Sequence, residues 1–159
     1  MKLGFWRSPA SVARPLTSGD SEACALIHGK SFKIGWAAEE FERLLANSNV
    51  ISDGRFESAG SAMIGFALSR LAVDEAELLT IAVDGPVRGS KMGTGLLEDH
   101  IGNLRMAGVR KLFLEVAEDN HPGLGLYRKF GFFSVGKRSN YYQGENGQQV
   151  NAEIMALQL

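Results

Sequence analysis

Cysteine is nearly absent from this chain: Cys24 is the only one in 159 residues. A single thiol excludes an intramolecular disulfide and any metal site built from cysteines alone. Histidine is almost as scarce. His28, His100 and His121 are scattered without metal-ligand spacing, so no metal cofactor is expected. Neither sign of charge dominates: 17 Lys and Arg against 18 Asp and Glu leave a net charge of −1. That balance gives no basic field for nucleic acid to meet. Long apolar runs are missing as well, and nothing approaches the roughly 20 residues of a membrane span. The opening MKLGFWRSPASVARPLTSGD lacks the apolar centre of a secretory signal. No internal repeat or low-complexity linker divides the chain. The expectation is one domain over residues 1–159, a monomer in a reduced, cytoplasmic compartment, with neither nucleic acid nor membrane as partner.

What is present is a mixture of strand and helix signals. LGFWRSP reads as a short first strand. TSGDSEACALIHGKSF opens on capping residues and carries Ala23, Leu26 and Ile27 at helical spacing. WAAEEFERLLAN is a second helix with Trp36, Phe41, Leu44 and Leu45 on one side. Asn49 to Phe56 reads as a weak strand around Val50 and Ile51. AMIGFALSRLAV and EAELLTIAV are better strands, separated at Asp74-Glu75. Leu96, Leu97, Ile101, Leu104 and Ala107 form the apolar stripe of the clearest helix, which Gly108 stops. KLFLEVAED is a further strand. Asn120 and Pro122 read as the cap and first turn of a last helix ending at Phe130-Gly131. FFSVGKRSNYY and QVNAEIMALQL are closing strands around the Gly144–Gly147 turn. The class is α/β, with a mixed sheet and one strand–helix–strand unit whose two strands are parallel and buried on both faces.

Three positions carry chemistry. PVRGSKMGTG, directly after LLTIAV, brings Arg88, Gly89, Ser90, Lys91, Met92, Gly93 and Thr94 to a junction between strand and helix. Backbone amides at a helix start favour an anion such as a pyrophosphate. The spacing is neither a nucleotide-binding P-loop nor the dinucleotide fingerprint, and an ordinary surface turn gives the same composition. Glu115 stands inside LFLEV. A carboxylate in a buried strand is costly to bury. Such a site either raises its pKa to suit a general base or pairs it with a Lys or Arg of a neighbouring element. Tyr127, on the helix that follows, is either a half-buried packing residue or a phenol able to protonate a leaving group.

Taken together, Leu78 to Tyr142 resembles the GNAT family of acetyl-CoA-dependent N-acetyltransferases, most of all its bacterial ribosomal-protein-alanine branch. The family's pyrophosphate loop, Gln/Arg-x-x-Gly-x-Gly/Ala, reads here as Arg88-Gly89-Ser90-Lys91-Met92-Gly93. Lys91 replaces the first motif glycine, a departure that matters if the backbone there is left-handed; its ammonium can instead reach a phosphate. LFLEVAEDN resembles the segment that places the general base on Glu115 and a cofactor contact on Asn120. LGLYRKFGF resembles the segment that places the general acid on Tyr127, although Gly123 and Gly125 predict a looser helix, at about 1 kcal/mol each against Ala.

The resemblance implies a mostly antiparallel central sheet with one parallel pair, splayed central strands, and helices on both faces. It implies acetyl-CoA as co-substrate, held by Ile81, Ala82 and Val83 and by the loop from Arg88 to Thr94. A backbone N–H near Val83 would polarise the thioester. It further implies direct attack by an amine and a protein N-terminus (an alanine, on a ribosomal protein) as acceptor. Tyr141 and Tyr142 are candidates to wall its slot, with one of the pair expected in the core because adjacent strand residues face opposite sides. An acceptor that is a small amine or a lysine requires the same motifs. A non-catalytic coenzyme A binder would need neither Glu115 nor Tyr127.

Overall fold

The structure is a computed structural model, described over residues 11–58, 62–87, 91–144 and 146–159. Its elements, in chain order, are β1 (Ser11–Arg14), α1 (Ser21–Ser31), α2 (Ala38–Ala46), β2 (Val50–Glu57), β3 (Met63–Ala72) and β4 (Glu75–Val83). They continue with α3 (Met92–Met106), β5 (Lys111–Ala117), α4 (His121–Lys129), β6 (Phe133–Gln143) and β7 (Gln149–Gln158). The seven strands form one mixed sheet in the order β1-β2-β3-β4-β5-β7-β6. β1 with β2, β5 with β7 and β6 with β7 are antiparallel. β4 and β5 are the parallel pair, as a crossover through α3 requires. The fold class read from the sequence is the one found. The LGFWRSP strand lies outside the described residues.

The contacts group into two compact units: Met1–Ser69 with Thr80–Gly102, and Arg70–Leu79 with Asn103–Leu159. In the first, β3 is buried at every residue from Met63 to Ser69, which explains its continuous apolar run. Phe66 and Leu68 pack with Cys24, Ile27, Phe41, Phe56 and Ala82 in one core. The Phe41 and Phe66 rings meet edge to face at 5.4 Å, a geometry worth about 0.5–1.5 kcal/mol beyond area burial. His28 is buried here too, stacked between Phe32 and Trp36.

β2 forms over Val50–Glu57, where the sequence signal for a strand is weak. Its polar residues, which suppress the sequence signal, are held from α3. Asp53 Oδ2 lies 2.5 Å from His100 Nδ1, and the other ring nitrogen lies 2.7 Å from Ser69 Oγ. Arg55 pairs with Asp99 and donates to Ser11 Oγ at 3.0 Å. This Asp–His–Ser chain has the residue types of a hydrolytic triad. Ser69 and His100 are fully buried, however, so no substrate reaches the hydroxyl, and the network serves to fix α3 on the strands.

In the second unit, β5 alternates strictly. Leu112, Leu114 and Val116 are buried, whereas Phe113, Glu115 and Ala117 are only half-buried. The expectation that this strand is buried on both faces is therefore corrected: Glu115 lies on its more open face. The β4–β5 ladder covers Glu75–Glu77 against Lys111–Phe113. β7 carries the registered pairs of Leu114–Ala117. α4 forms despite its two glycines, because Asn120 caps it by accepting from the Gly123 amide at 3.1 Å. It is an α-helix over His121–Lys129.

Candidate functional site

In the first unit, β4 ends with Ala82 buried between half-buried Ile81 and Val83. Gly65 on β3 makes this possible. A Cβ there would stand 2.8 Å from the Ala82 carbonyl oxygen and 3.3 Å from Val83 Cα, so a side chain would push the strands apart. The sequence offered no sign of this beyond a glycine within an apolar run. Arg88, Gly89 and Ser90 lie outside the described residues. Lys91 directly precedes α3, and its carbonyl accepts from the Gly95 amide at 3.1 Å. Lys91 has φ +63, the left-handed region that costs a side-chain-bearing residue roughly 1–2 kcal/mol. The substitution of lysine for glycine thus falls where the backbone favours glycine. Met92 buries its side chain, and Gly93 and Thr94 are half-buried. Amides of a first helical turn have no intrahelical acceptor, so this end can bind an anion.

In the second unit, three elements converge on one cluster. Glu115 on β5 lies 3.0 Å from the Arg138 guanidinium on β6, its side chain 19% exposed. Arg138 also lies over the Tyr141 ring, at 4.5 Å from the centroid. The pairing of β6 with β7 shifts register between Arg138 and Tyr142, and Asn140 inside the shift has φ +55. The irregularity lets two adjacent tyrosines meet edge to face at 4.8 Å instead of pointing to opposite faces. Neither ring is a core residue: Tyr141 is exposed and Tyr142 half-buried. Burial pushes the Tyr142 phenol up to about 12, helped by Tyr141 and the Glu115 charge and opposed by Arg138.

Tyr127 completes the cluster from α4. Gly131, at φ +96, ends that helix, and the Phe132 amide turns back to the Tyr127 carbonyl at 3.1 Å. The two rings then meet at 5.6 Å. Burial, with a contribution from Tyr142, pushes the Tyr127 phenol up to about 12. The side chain is buried rather than half-buried, and the phenol stays protonated at ordinary pH.

Residues 22–132 match the acetyltransferase (GNAT) family. The chain is 33% identical over 147 residues to the ribosomal protein bS18-alanine N-acetyltransferase of Escherichia coli (strain K12), spanning 89% of this chain and 93% of that protein. The chain belongs to the GNAT acetyltransferase family. It is an acetyl-CoA-dependent N-acetyltransferase. The crystal structure of the Escherichia coli ribosomal-protein-S18-alanine N-acetyltransferase superposes with a TM-score of 0.87 at 30% identity, covering 94% of both chains. The acetyl-CoA complex of Arabidopsis thaliana NAA60 shares the fold, with a TM-score of 0.81 at 19% identity over 94% of this chain and 99% of that one.

In this GNAT protein, Glu115, Tyr127 and Tyr142 fall within one electrostatic cluster. Asn120, expected at the cofactor, uses its side chain as the cap of α4. Arg138 is the cluster member that sequence reading did not single out. The cost of burying Glu115 pointed to a basic partner, but the partner's identity depends on how β6 pairs across β7. Among the described residues, no helix is long and apolar enough to cross a membrane.

Proposed function

We propose that the whole chain, residues 1–159, works as one domain that acetylates the N-terminal α-amine of a protein, the alanine of a ribosomal protein being the favoured acceptor. The observation that carries this reading is the 33% identity, across nearly the full chain, to an enzyme named for that alanine. A ribosomal acceptor would place the protein in the cytoplasm, where a monomer suffices.

Acetyl-CoA would be held by the backbone of Ile81, Ala82 and Val83 and by the start of α3, from Arg88 to Thr94. The pyrophosphate would lie on the first-turn amides, with the Lys91 ammonium close by in sequence. A backbone N–H near Val83 would steady the oxyanion. Glu115 would take one proton from the acceptor ammonium, and the amine would attack the thioester carbonyl directly, its C–N bond forming as the C–S bond breaks. Tyr127 would protonate the departing thiolate, and the second proton lost by the nitrogen would restore the phenol. Tyr141 and Tyr142 would line the way to Glu115, a role that the exposure of one and the half-burial of the other support. Asn120 would contribute by fixing the start of α4 and, with it, Tyr127.

Mass spectrometry after incubation with acetyl-CoA tests the acceptor. An Ala-starting peptide gains one acetyl group at its α-amine, and an N-terminally blocked, lysine-rich peptide gains none. Acetylation of the blocked peptide alone would move the acceptor to a lysine side chain. No product on either peptide would overturn the N-terminal reading.

A further inference from the structure

The base proposed above already holds a cation. Glu115 is paired at 3.0 Å with the Arg138 guanidinium through Oε1. A protein N-terminus arrives largely as an ammonium, since its ordinary pKa is about 7.7–8.0. Two cations at one half-buried carboxylate repel each other, so an ammonium arriving at Glu115 weakens its hold on the guanidinium.

We propose that Arg138 is a positioning residue for the acceptor: it occupies the cation place at Glu115 in the resting enzyme and yields it to the incoming α-ammonium. This rests on Glu115 being the base. Three observations support the exchange. The Arg138 side chain is 52% exposed, so the ion pair is of the weak, solvent-screened kind that a competitor can open. The Tyr141 ring, 4.5 Å from the guanidinium carbon, offers the displaced cation a second resting place. Arg138 also sits at the start of a register shift in β6, two residues before the left-handed Asn140, where the regular strand pairing is interrupted. An acceptor must therefore supply a cation able to outcompete a guanidinium at this carboxylate, which favours a free α-ammonium over a blocked N-terminus.

Steady-state kinetics of the full chain with an Ala-starting peptide that carries no other charge test the proposal. R138Q is expected to lower the peptide KM about two- to five-fold, the size of an exposed ion pair, with kcat changed by less than about two-fold. R128Q removes a cation that faces Glu153 on the same β-sheet unit and is expected to leave KM unchanged. R138M, which keeps the side-chain stem, gives the same shift as R138Q and serves if R138Q folds poorly. A peptide KM unchanged or raised in the Arg138 variants, or lowered equally in R128Q, would overturn the exchange. E115Q measured alongside separates the two readings. Loss of turnover in E115Q without the KM shift in R138Q removes only the role of Arg138; full turnover in E115Q removes the base itself.

Discussion

His100 on α3 and Asp53 on β2 share a 2.5 Å contact in the interior, and Ser69 on β3 lies 2.7 Å from the opposite ring nitrogen. The imidazole can satisfy both neighbours only from this position on α3, so the network fixes where that helix sits. Deleting the fully buried ring leaves a cavity and strips both neighbours of a hydrogen-bond partner, together about 3 kcal/mol or more. His100→Ala is therefore expected to lower stability by at least about 3 kcal/mol, read from urea denaturation, whereas Ser69→Ala loses a single hydrogen bond at about 1 kcal/mol. Equal, small losses in both variants would mean that the imidazole adds nothing beyond its volume.

His28 makes stability depend on pH. Its Nδ1 accepts the Trp36 amide at 3.1 Å, so a proton there would face an N–H. Burial lowers its pKa to about 4, against about 6.5 in the unfolded chain. Between these values the unfolded chain binds the proton and the folded protein does not, so stability falls as pH drops from about 6.5 to about 4. The loss is on the order of 2–3 kcal/mol. Denaturation midpoints at pH 7 and pH 4.5 should differ by less in His28→Asn than in the native protein; an identical difference would acquit His28.

Cys24 is fully buried, and burial pushes its thiol up to about 12. A thiol so protonated and enclosed is a poor nucleophile. This agrees with direct transfer rather than an acyl-enzyme. The folded protein is expected to resist a thiol reagent and keep its activity, and the urea-unfolded chain to react with one equivalent. Rapid labelling of the folded protein with loss of activity would reopen a covalent route.

The legible parts of the molecule were those written in local pattern. Leu96, Leu97, Ile101 and Leu104 at helical spacing gave α3, and Asn120 with Pro122 gave the start of α4. The replacement of glycine by Lys91 marked the position that has φ +63. What stayed hidden depends on partners far along the chain. β2 looked weak because Asp53 and Arg55 are polar, and only α3 explains why a strand can hold them. Glu115 looked buried because its neighbours are apolar; the alternation along β5 puts those neighbours on the opposite face. Arg138 was invisible because its approach to Glu115 requires both the β6–β7 pairing and the shift within it.

Tyr127 is held by its own turn and by Phe132, so loss of the hydroxyl alone leaves the ring in place. Tyr127→Phe is expected to fold, to bind acetyl-CoA, and to lose about 100-fold in kcat, the lower range for general acid catalysis. An unchanged kcat would assign protonation of the thiolate to another donor, Tyr142 being next in the cluster.

The central claim is that Glu115 acts as the base in acetyl transfer, and E115Q tests it most directly. Its kcat with an Ala-starting peptide and its acetyl-CoA affinity by calorimetry are measured on the same preparation. The account predicts a fall in kcat of about 100-fold or more with acetyl-CoA affinity within about two-fold of the native protein. A kcat close to native, or a parallel loss of turnover and acetyl-CoA affinity, would contradict it and leave Glu115 as a structural partner of Arg138.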